Sequence, residues 1–468
     1  MTDPVITPPD IADHPELPYL RGLALEAIIY AWPLYEMQRM RSATSPRRIA
    51  GQGFAGDSPE SLLRWCNCFV HERELLRAGT SRVVMPNNDT LYANAWFDLS
   101  EGPLVLDLPE TGSRYYVLGL LDFYTNPFGH VGTRTTGNGA GQVLLSPPGW
   151  RGDVPPECRA PGRHLRSPTR WVWQIGRLLV DGADDLAAVH ALQDAMSVHR
   201  LQDWQAGRRD GAARRFDARH EPREPFEPAR FLARVGEALL ENPPPAGDAA
   251  LLAQWRRIGL GLAEAERDAL LARPLLAHAL ALAGADAQRL LDMPAERLGH
   301  DERRHGWIPS MMTLGDGFGD DLLLRAFIAR QGIGALAPQE AIYPRCDTDA
   351  QARQLEGGSA YRLRFAPGQL PPVNAFWSLT LYDSRDKMLV DNVIDRYSIG
   401  DRTPGLVYDD DGGLTLHVQH LPPATPAARA NWLPAPEGEF FLCLRAYMPE
   451  PAMLDGSYRL PPPQRITS

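Results

Sequence analysis

Apolar residues change their period along the chain. Between residues 19 and 41 Leu20, Leu23, Ala27, Tyr30, Leu34 and Met37 recur at helical spacing. They predict one helix, kinked at Pro33, because proline carries no amide donor. From about 82 to 180 the period falls to two, in short runs broken by Gly, Pro and Asn. That is the pattern of strands, with runs at 103–109, 114–122, 141–146 and 171–180. From about 183 to 335 the chain is rich in Ala, Leu and Arg. There Phe231, Val235 and Leu239, then Leu251, Trp255, Ile258 and Leu262, keep helical spacing around a break at Pro243-Pro244-Pro245. Strand spacing returns from about 359 to 450.

The two strand regions repeat each other. Tyr116, Leu118, Leu120 and Asp122 share one face of a strand, as do Trp377, Leu379, Leu381 and Asp383. Trp171, Trp173, Ile175 and Arg177 match Glu439, Phe441, Cys443 and Arg445. Arg134 and Arg396 follow the two aspartates at similar distances. The expected fold is mainly β with a helical region: two related antiparallel β-sandwich, jelly-roll-like domains joined by a helical segment. The divisions fall at 1–79 (N-terminal arm and helix), 80–182, 183–344 and 345–468 (second sandwich and Pro-rich tail). Asp122 with Arg177, and Asp383 with Arg445, then form either buried pairs or, more simply, aspartate-led turns.

Charge narrows the partners. The 468 residues carry 48 Lys and Arg against 58 Asp and Glu, a net charge of −10. No basic stripe suits nucleic acid. Lys387 is the only lysine, so no Gly-rich phosphate loop ends in one. No apolar run reaches the length of a membrane span. The five cysteines fit no disulfide framework, and the first residues show no secretory leader, so a cytoplasmic protein is expected. No His or Cys spacing makes a metal site: His417 and His420, three apart on a strand, point to opposite faces. No dinucleotide fingerprint or nucleophile elbow occurs, and no cofactor is expected.

The densest polar run is Pro86-Asn87-Asn88-Asp89-Thr90-Leu91-Tyr92. It offers Asp89 as a general base, Tyr92 as a proton donor and Asn88 as a substrate contact. It equally suits an Asx-turn network that ties a loop down. A second cluster runs from Tyr124 to Arg134, and a third surrounds Trp432. The catalytic reading takes Asp89, Tyr92 and Tyr124, with Asn88, Arg134, Trp377, Asn392, Arg396 and Trp432 binding substrate between the sandwiches.

Several of these runs carry a family resemblance. Pro86 to Tyr92, Arg114 to Asp122 and Gly132-Thr-Arg-Thr-Thr-Gly137 resemble the bacterial domain of unknown function numbered twelve fifty-four. Phe376 to Asp383, Asp391-Asn392, Arg396 to Gly400, Asn431-Trp-Leu-Pro434 and Arg445 resemble its usual C-terminal companion, numbered twelve fourteen. The resemblance implies a largely β architecture with a helical insert and assigns no reaction. Many relatives are exported, and this chain departs from them in lacking a leader. The function expected first is an enzyme without organic cofactor, acting on a small, partly apolar molecule by acid–base chemistry: hydrolysis, elimination or cyclisation. The alternatives are a sugar- or lipid-binding protein and an interaction scaffold. A homo-oligomer is compatible with all three.

Overall fold

The structure is a computed structural model. It describes residues 11–44, 65–80, 85–209, 213, 215–216, 225–293, 305–310 and 317–466. The first ten residues of the expected arm lie outside them.

Two β-sandwiches share a frame of eight equivalent strands each, and Val70–His71 extends the first large sheet while Trp307–Ile308 and Ala341–Ile342 extend the second. The first contains β1 (Thr90–Asp98), β2 (Leu104–Leu108), β3 (Tyr116–Leu121), β4 (Pro127–Gly132), β5 (Gly141–Ser146), β6 (His164–Arg166), β7 (Trp171–Leu179) and β8 (Ser197–Arg200). The second contains β9 (Arg345–Cys346), β10 (Tyr361–Phe365), β11 (Val373–Asp383), β12 (Ser398–Gly400), β13 (Leu414–Gln419), β14 (Trp432–Pro434), β15 (Phe440–Pro449) and β16 (Gln464–Arg465). The large sheets run β1-β7-β3-β4 and β9-β15-β11-β12, and the small sheets β8-β2-β5-β6 and β16-β10-β13-β14. Each strand of the first sandwich thus has its counterpart eight strands later. Even the single parallel pairing recurs, β5 with β6 and β13 with β14.

The register repeats as well. Val117 pairs with Arg177 and Gly132, and Ser378 with Arg445 and Gly400. Gly132 and Gly400 face the same restriction. A Cβ at either would lie 2.3 Å from the Tyr116 carbonyl oxygen or 2.2 Å from that of Trp377. Side chains alternate as the period of two requires. Tyr116, Leu118 and Leu120 enter the first core against Leu104 and Leu106. Trp377, Leu379 and Leu381 enter the second against Tyr361, Leu363 and Phe365. Each fully buried leucine contributes roughly 1.5–3 kcal/mol by leaving water.

The helical unit differs from the sequence expectation. Helix α1 (Leu17–Thr44) does not stand apart with the N-terminal arm; it packs among α2 (Pro228–Glu241), α3 (Pro274–Leu291) and α4 (Leu322–Gln331). Most of Leu23–Met37 is buried, so α1 is enclosed on nearly all sides rather than amphipathic. The helix continues through Pro33, which leaves the Ile29 carbonyl without its intrahelical amide. The unit covers part of the outer face of the first large sheet, at Trp96, Leu121, Trp171 and Trp173. Strand β8 is a second difference. It lies where helical spacing was expected and pairs along β2, with Val198 opposite Leu106. The stripe Leu251 to Leu262 is divided, because the helix Ala249–Trp255 tightens into a 3-10 turn that ends at left-handed Gly259.

Among the described residues no single helix is long and apolar enough to cross a membrane. The pair Glu264–Leu271 and Pro274–Leu291 is apolar enough in composition, but it bends by 95°.

Candidate functional site between the two large sheets

Alternation sends every second residue of the large sheets away from the sandwich cores. On the first sheet these are Tyr92, Asn94, Tyr115, His130 and Arg177. On the second they are Ser378, Thr380, Tyr382, Arg445 and Tyr447. The two outer faces meet, with Tyr115, Val117 and Leu179 packed against Phe376 and Tyr447. Tyr115 and Tyr447 have ring centroids 5.3 Å apart. The chain leading into β9 passes between them, and Gly119 has no side chain because Leu336 occupies that space.

Two arginines clamp this junction reciprocally. Arg134, two residues after Gly132, donates to Glu340 at 2.6 Å, and Glu340 also accepts from the Tyr115 hydroxyl at 2.8 Å. Arg402, two residues after Gly400, donates to the Val180 carbonyl at 3.0 Å and lies 4.4 Å from the Phe376 ring centroid. The counterpart of Arg134 is therefore Arg402 and not Arg396. The signal in the sequence is the repeated Gly-x-Arg-Thr of residues 132–135 and 400–403.

Asp89 is buried at this junction. Its carboxylate accepts from Ser378 Oγ at 2.5 Å and Ser398 Oγ at 3.2 Å, and Arg402 stands 3.9 Å away. Its own amide donates to Asn87 Oδ1. The preceding residues are tied to the same sheet: Asn87 donates to the Tyr447 hydroxyl, and the Pro86 carbonyl accepts from Tyr382 and Arg445. The segment 85–89 is thus a strap from the first domain fastened to the second. Both carboxylate oxygens of Asp89 serve that fastening.

Arg177 and Arg445 occupy equivalent positions and differ in their bonding. Arg445 donates to Thr380 Oγ1 at 2.7 Å, to the Met85 carbonyl at 3.0 Å, to Pro86 and to the Tyr382 hydroxyl. Arg177, 7% exposed, donates to the Gly334 carbonyl at 3.3 Å, and its Nη1 has no partner. Burial opposes its charge, but the surrounding hydroxyls of Tyr343, Tyr92, Tyr447 and Tyr115 more than offset this and keep the guanidinium protonated. The Tyr343 hydroxyl is itself buried without a partner. Burial raises its pKa while Arg177 and Arg445 lower it, and the net direction is upward. Asn88 Oδ1 and Asn94 Oδ1 are buried and unpartnered too.

One row of this face carries ionisable groups across three strands. Tyr92 pairs with Arg177, whose Cζ lies 5.6 Å from the Tyr92 ring centroid. On the other side the Glu72 amide donates to the Tyr92 carbonyl at 2.9 Å, continuing the short pairing of Val70–His71 with β1. Strand alternation therefore places the Glu72 side chain on the face of Tyr92 and Arg177. Burial pushes the Glu72 carboxyl up to about 7. His130, nearby on β4, is pushed down to about 4 by burial, with Arg134 and Arg177 adding to the effect. It is neutral at pH 7 and accepts the Ala337 amide on Nε2.

The residues singled out from sequence divide into four places. Asn88, Asp89, Tyr92 and Arg134 lie at the junction. Tyr124 does not; its hydroxyl donates to the Asn242 carbonyl, beside Tyr30 and Arg325 of the helical unit. Trp377 lies inside the second sandwich, 5.4 Å from Phe365 between centroids, because its neighbour Ser378 takes the outward position. Asn392, Arg396 and Trp432 fasten one loop cluster. Asn392 bonds the Arg396 backbone, Arg396 donates to the Ala430 and Trp432 carbonyls, and Trp432 donates to the Gln419 carbonyl. The expected Asp122–Arg177 and Asp383–Arg445 pairs are not formed. Asp122 accepts the amides of Tyr124 and Asn126, and Asp383 accepts from Arg385, as aspartate-led turns do. Among the described residues no group of three or more His, Cys, Asp or Glu side chains is placed to hold a metal ion.

No curated protein matches the chain. Among solved structures it is similar to the VPA0106 protein of Vibrio parahaemolyticus, at 23% identity and a TM-score of 0.68, over 96% of this chain and 100% of that one. That likeness shows a shared fold. An uncharacterised protein from Burkholderia cenocepacia aligns over 98% of this chain and 95% of its own at 14% identity; its TM-score of 0.44 carries no argument. Residues 66–200 match DUF1254 and residues 340–451 match DUF1214, the first described as a protein of unknown function and the second likewise. With both matches in place, the chain belongs to the proteins that pair a DUF1254 domain with a DUF1214 domain.

Proposed function

We propose that the protein is an acid–base enzyme that acts on a small, partly apolar molecule between its two large sheets. The observation that carries this reading is the contrast between equivalent arginines. Arg445 spends both terminal nitrogens on partners, whereas Arg177 keeps a buried, unpartnered donor near Tyr92 and Tyr343, on the face to which strand alternation turns Glu72. A buried donor without a partner costs roughly 1–3 kcal/mol, so its retention points to a ligand.

In this reading Arg177 holds an acceptor oxygen of the substrate and the tyrosine rings supply apolar contact. Glu72 exchanges the proton, since a carboxyl titrating near 7 serves as a base at neutral pH. Asp89 is a positioning residue that keeps the two faces together. Tyr124, Asn392, Arg396 and Trp432 have no place in the site. A cytoplasmic setting is part of the proposal and accords with the odd cysteine count.

The test is a panel of small aryl and alkyl esters, lactones and hydroxy acids, incubated with the protein and followed by proton NMR. One class is expected to be converted, with a rate that rises to a plateau above about pH 7 as Glu72 loses its proton. Glu72→Gln should lower that rate by about 10²-fold or more without loss of melting temperature. Conversion of no member, or an equally active Glu72→Gln protein, would overturn the assignment. Binding without conversion would favour a ligand-binding protein instead.

A further inference from the structure

We infer that Asn94 is a specificity-determining residue of the proposed site, selecting a ligand with a hydroxyl on the carbon next to the carbonyl that Arg177 holds. The inference rests on the site proposed above and adds the chemical class of its ligand.

Space for a ligand follows from the burial of one sheet face. Strand register lays the outward residues of the first large sheet in two neighbouring rows: Val70, Asn94 and Ile175, then Glu72, Tyr92 and Arg177. The helical unit covers one side of these rows, where Trp96 and Trp173 are buried. The second sandwich covers the other side, where Tyr115, Val117 and Leu179 are buried. Between the two covers Val70, Glu72, Tyr92, Asn94 and Ile175 are only half-buried. A sheet face closed at both ends and open between them is a cleft, and these five residues are its floor.

Asn94 is out of place on that floor unless it serves a ligand. Asparagine is depleted in strands, yet this one is paired on both sides, with Val70 and with Ile175. Its Oδ1 is buried without a partner, which costs roughly 1–3 kcal/mol. By contrast, the amides of Asn242 and Asn431 are each bonded through both oxygen and nitrogen.

Position gives the chemistry of the ligand. Asn94 is the diagonal neighbour of Arg177 across paired strands, where residues lie roughly 7–8 Å apart. A ligand can bridge them with one oxygen on Arg177 Nη1, itself buried and unpartnered, and the adjoining group at Asn94. That group must give a hydrogen to Oδ1. A carboxylate has none to give, and an ammonium would face the Arg177 guanidinium. A hydroxyl gives one without charge and also accepts from the amide nitrogen. Ile175 and the Tyr92 ring, 5.6 Å from Arg177 Cζ, supply apolar contact for the rest. The ligand is accordingly a 2-hydroxycarbonyl compound with an apolar body.

The experiment is fluorine NMR titration of the full-length protein at pH 7.5 with 4′-fluoro-2-hydroxyacetophenone and 4′-fluoroacetophenone, which differ by one hydroxyl. The hydroxyketone is expected to bind at least about 10-fold more tightly, the size of one hydrogen bond to a buried acceptor. Asn94→Leu should bind both ketones equally, at the affinity of the parent for 4′-fluoroacetophenone. It should melt no lower than the parent, because it removes an unpartnered acceptor. Arg177→Met should weaken both ketones by about 10-fold and keep their ratio. Equal binding of the two ketones to the parent, a preference retained in Asn94→Leu, or no binding of either ketone would overturn the inference. Both ketones weakened by Arg177→Met with no preference in the parent would remove Asn94 and leave the Arg177 site standing. A preference lost in Asn94→Leu, with binding untouched by Arg177→Met, would support Asn94 and overturn the role given to Arg177. None of these readouts depends on turnover.

Discussion

A carboxylate shows its role by what surrounds it, and Asp89 and Glu72 make the contrast at single residues. Asp89 lies in the densest polar run of the sequence, yet its oxygens accept two serine hydroxyls from the other domain. Glu72 lies in an unremarkable run, Val70-His-Glu-Arg73, and burial alone lifts its carboxyl to about 7. Sequence density of polar groups therefore marks a fastening, and the ionisable group poised near neutrality goes unmarked. Its signal is three-dimensional: an edge pairing that turns Glu72 toward Tyr92. For Asp89 the consequence is measurable. Asp89→Asn keeps the shape and removes charge from both hydrogen bonds, which at roughly 1.5–3 kcal/mol for a charged acceptor should lower stability by that order. Urea denaturation is the measurement; an unchanged midpoint would show that the strap bears no load at this residue.

At the scale of strands and helices, much is legible in the sequence. The period of two locates β3, β5 and β7 within a residue or two, and the repeat of Tyr116–Asp122 in Trp377–Asp383 identifies equivalent strands. What the pattern does not carry is where alternation sends neighbours. Trp377 resembles a ligand contact because tryptophan is large and apolar, but that same property draws it into the sandwich core and turns Ser378 outward. β8 is hidden because Ser197–Arg200 is too short to show a period. α1 is legible as a helix but not as a member of the helical unit, since a helix buried on nearly all sides gives no sign of its partners. Gly400 tests the repeat directly. A methyl group there would meet the Trp377 carbonyl at 2.2 Å, and backbone on a paired strand has no room to retreat. Gly400→Ala and Gly132→Ala should each lower stability by about 4 kcal/mol or more, the size that marks an exceptional single substitution, and so lower the melting temperature sharply. Gly137→Ala, in open space, should cost far less, with only its left-handed φ of 73° to resist it. Equal effects in all three, read by thermal unfolding, would contradict the shared β3–β4 and β11–β12 geometry.

For the molecule as a whole, the duplication explains both the junction and its asymmetry. Two sandwiches of one topology present the same outer face to each other, so equivalent residues meet across it: Arg134 opposes Glu340, and Arg402 opposes Val180 and Asp181. The same duplication gives each face one buried arginine. In the second domain that arginine holds the strap; in the first it keeps a donor in reserve. An arginine that only stabilises should be costly to replace, whereas one retained for a ligand should be nearly free to replace when no ligand is bound. Thermal unfolding of Arg177→Met and Arg445→Met, each without added ligand, separates these roles without knowledge of the substrate. Arg445→Met is expected to unfold well below the parent protein, because the Thr380, Met85, Pro86 and Tyr382 oxygens lose their donor. Arg177→Met is expected to unfold at the same temperature as the parent or above it, and a fall as large as that of Arg445→Met would contradict the assignment of Arg177 to a ligand.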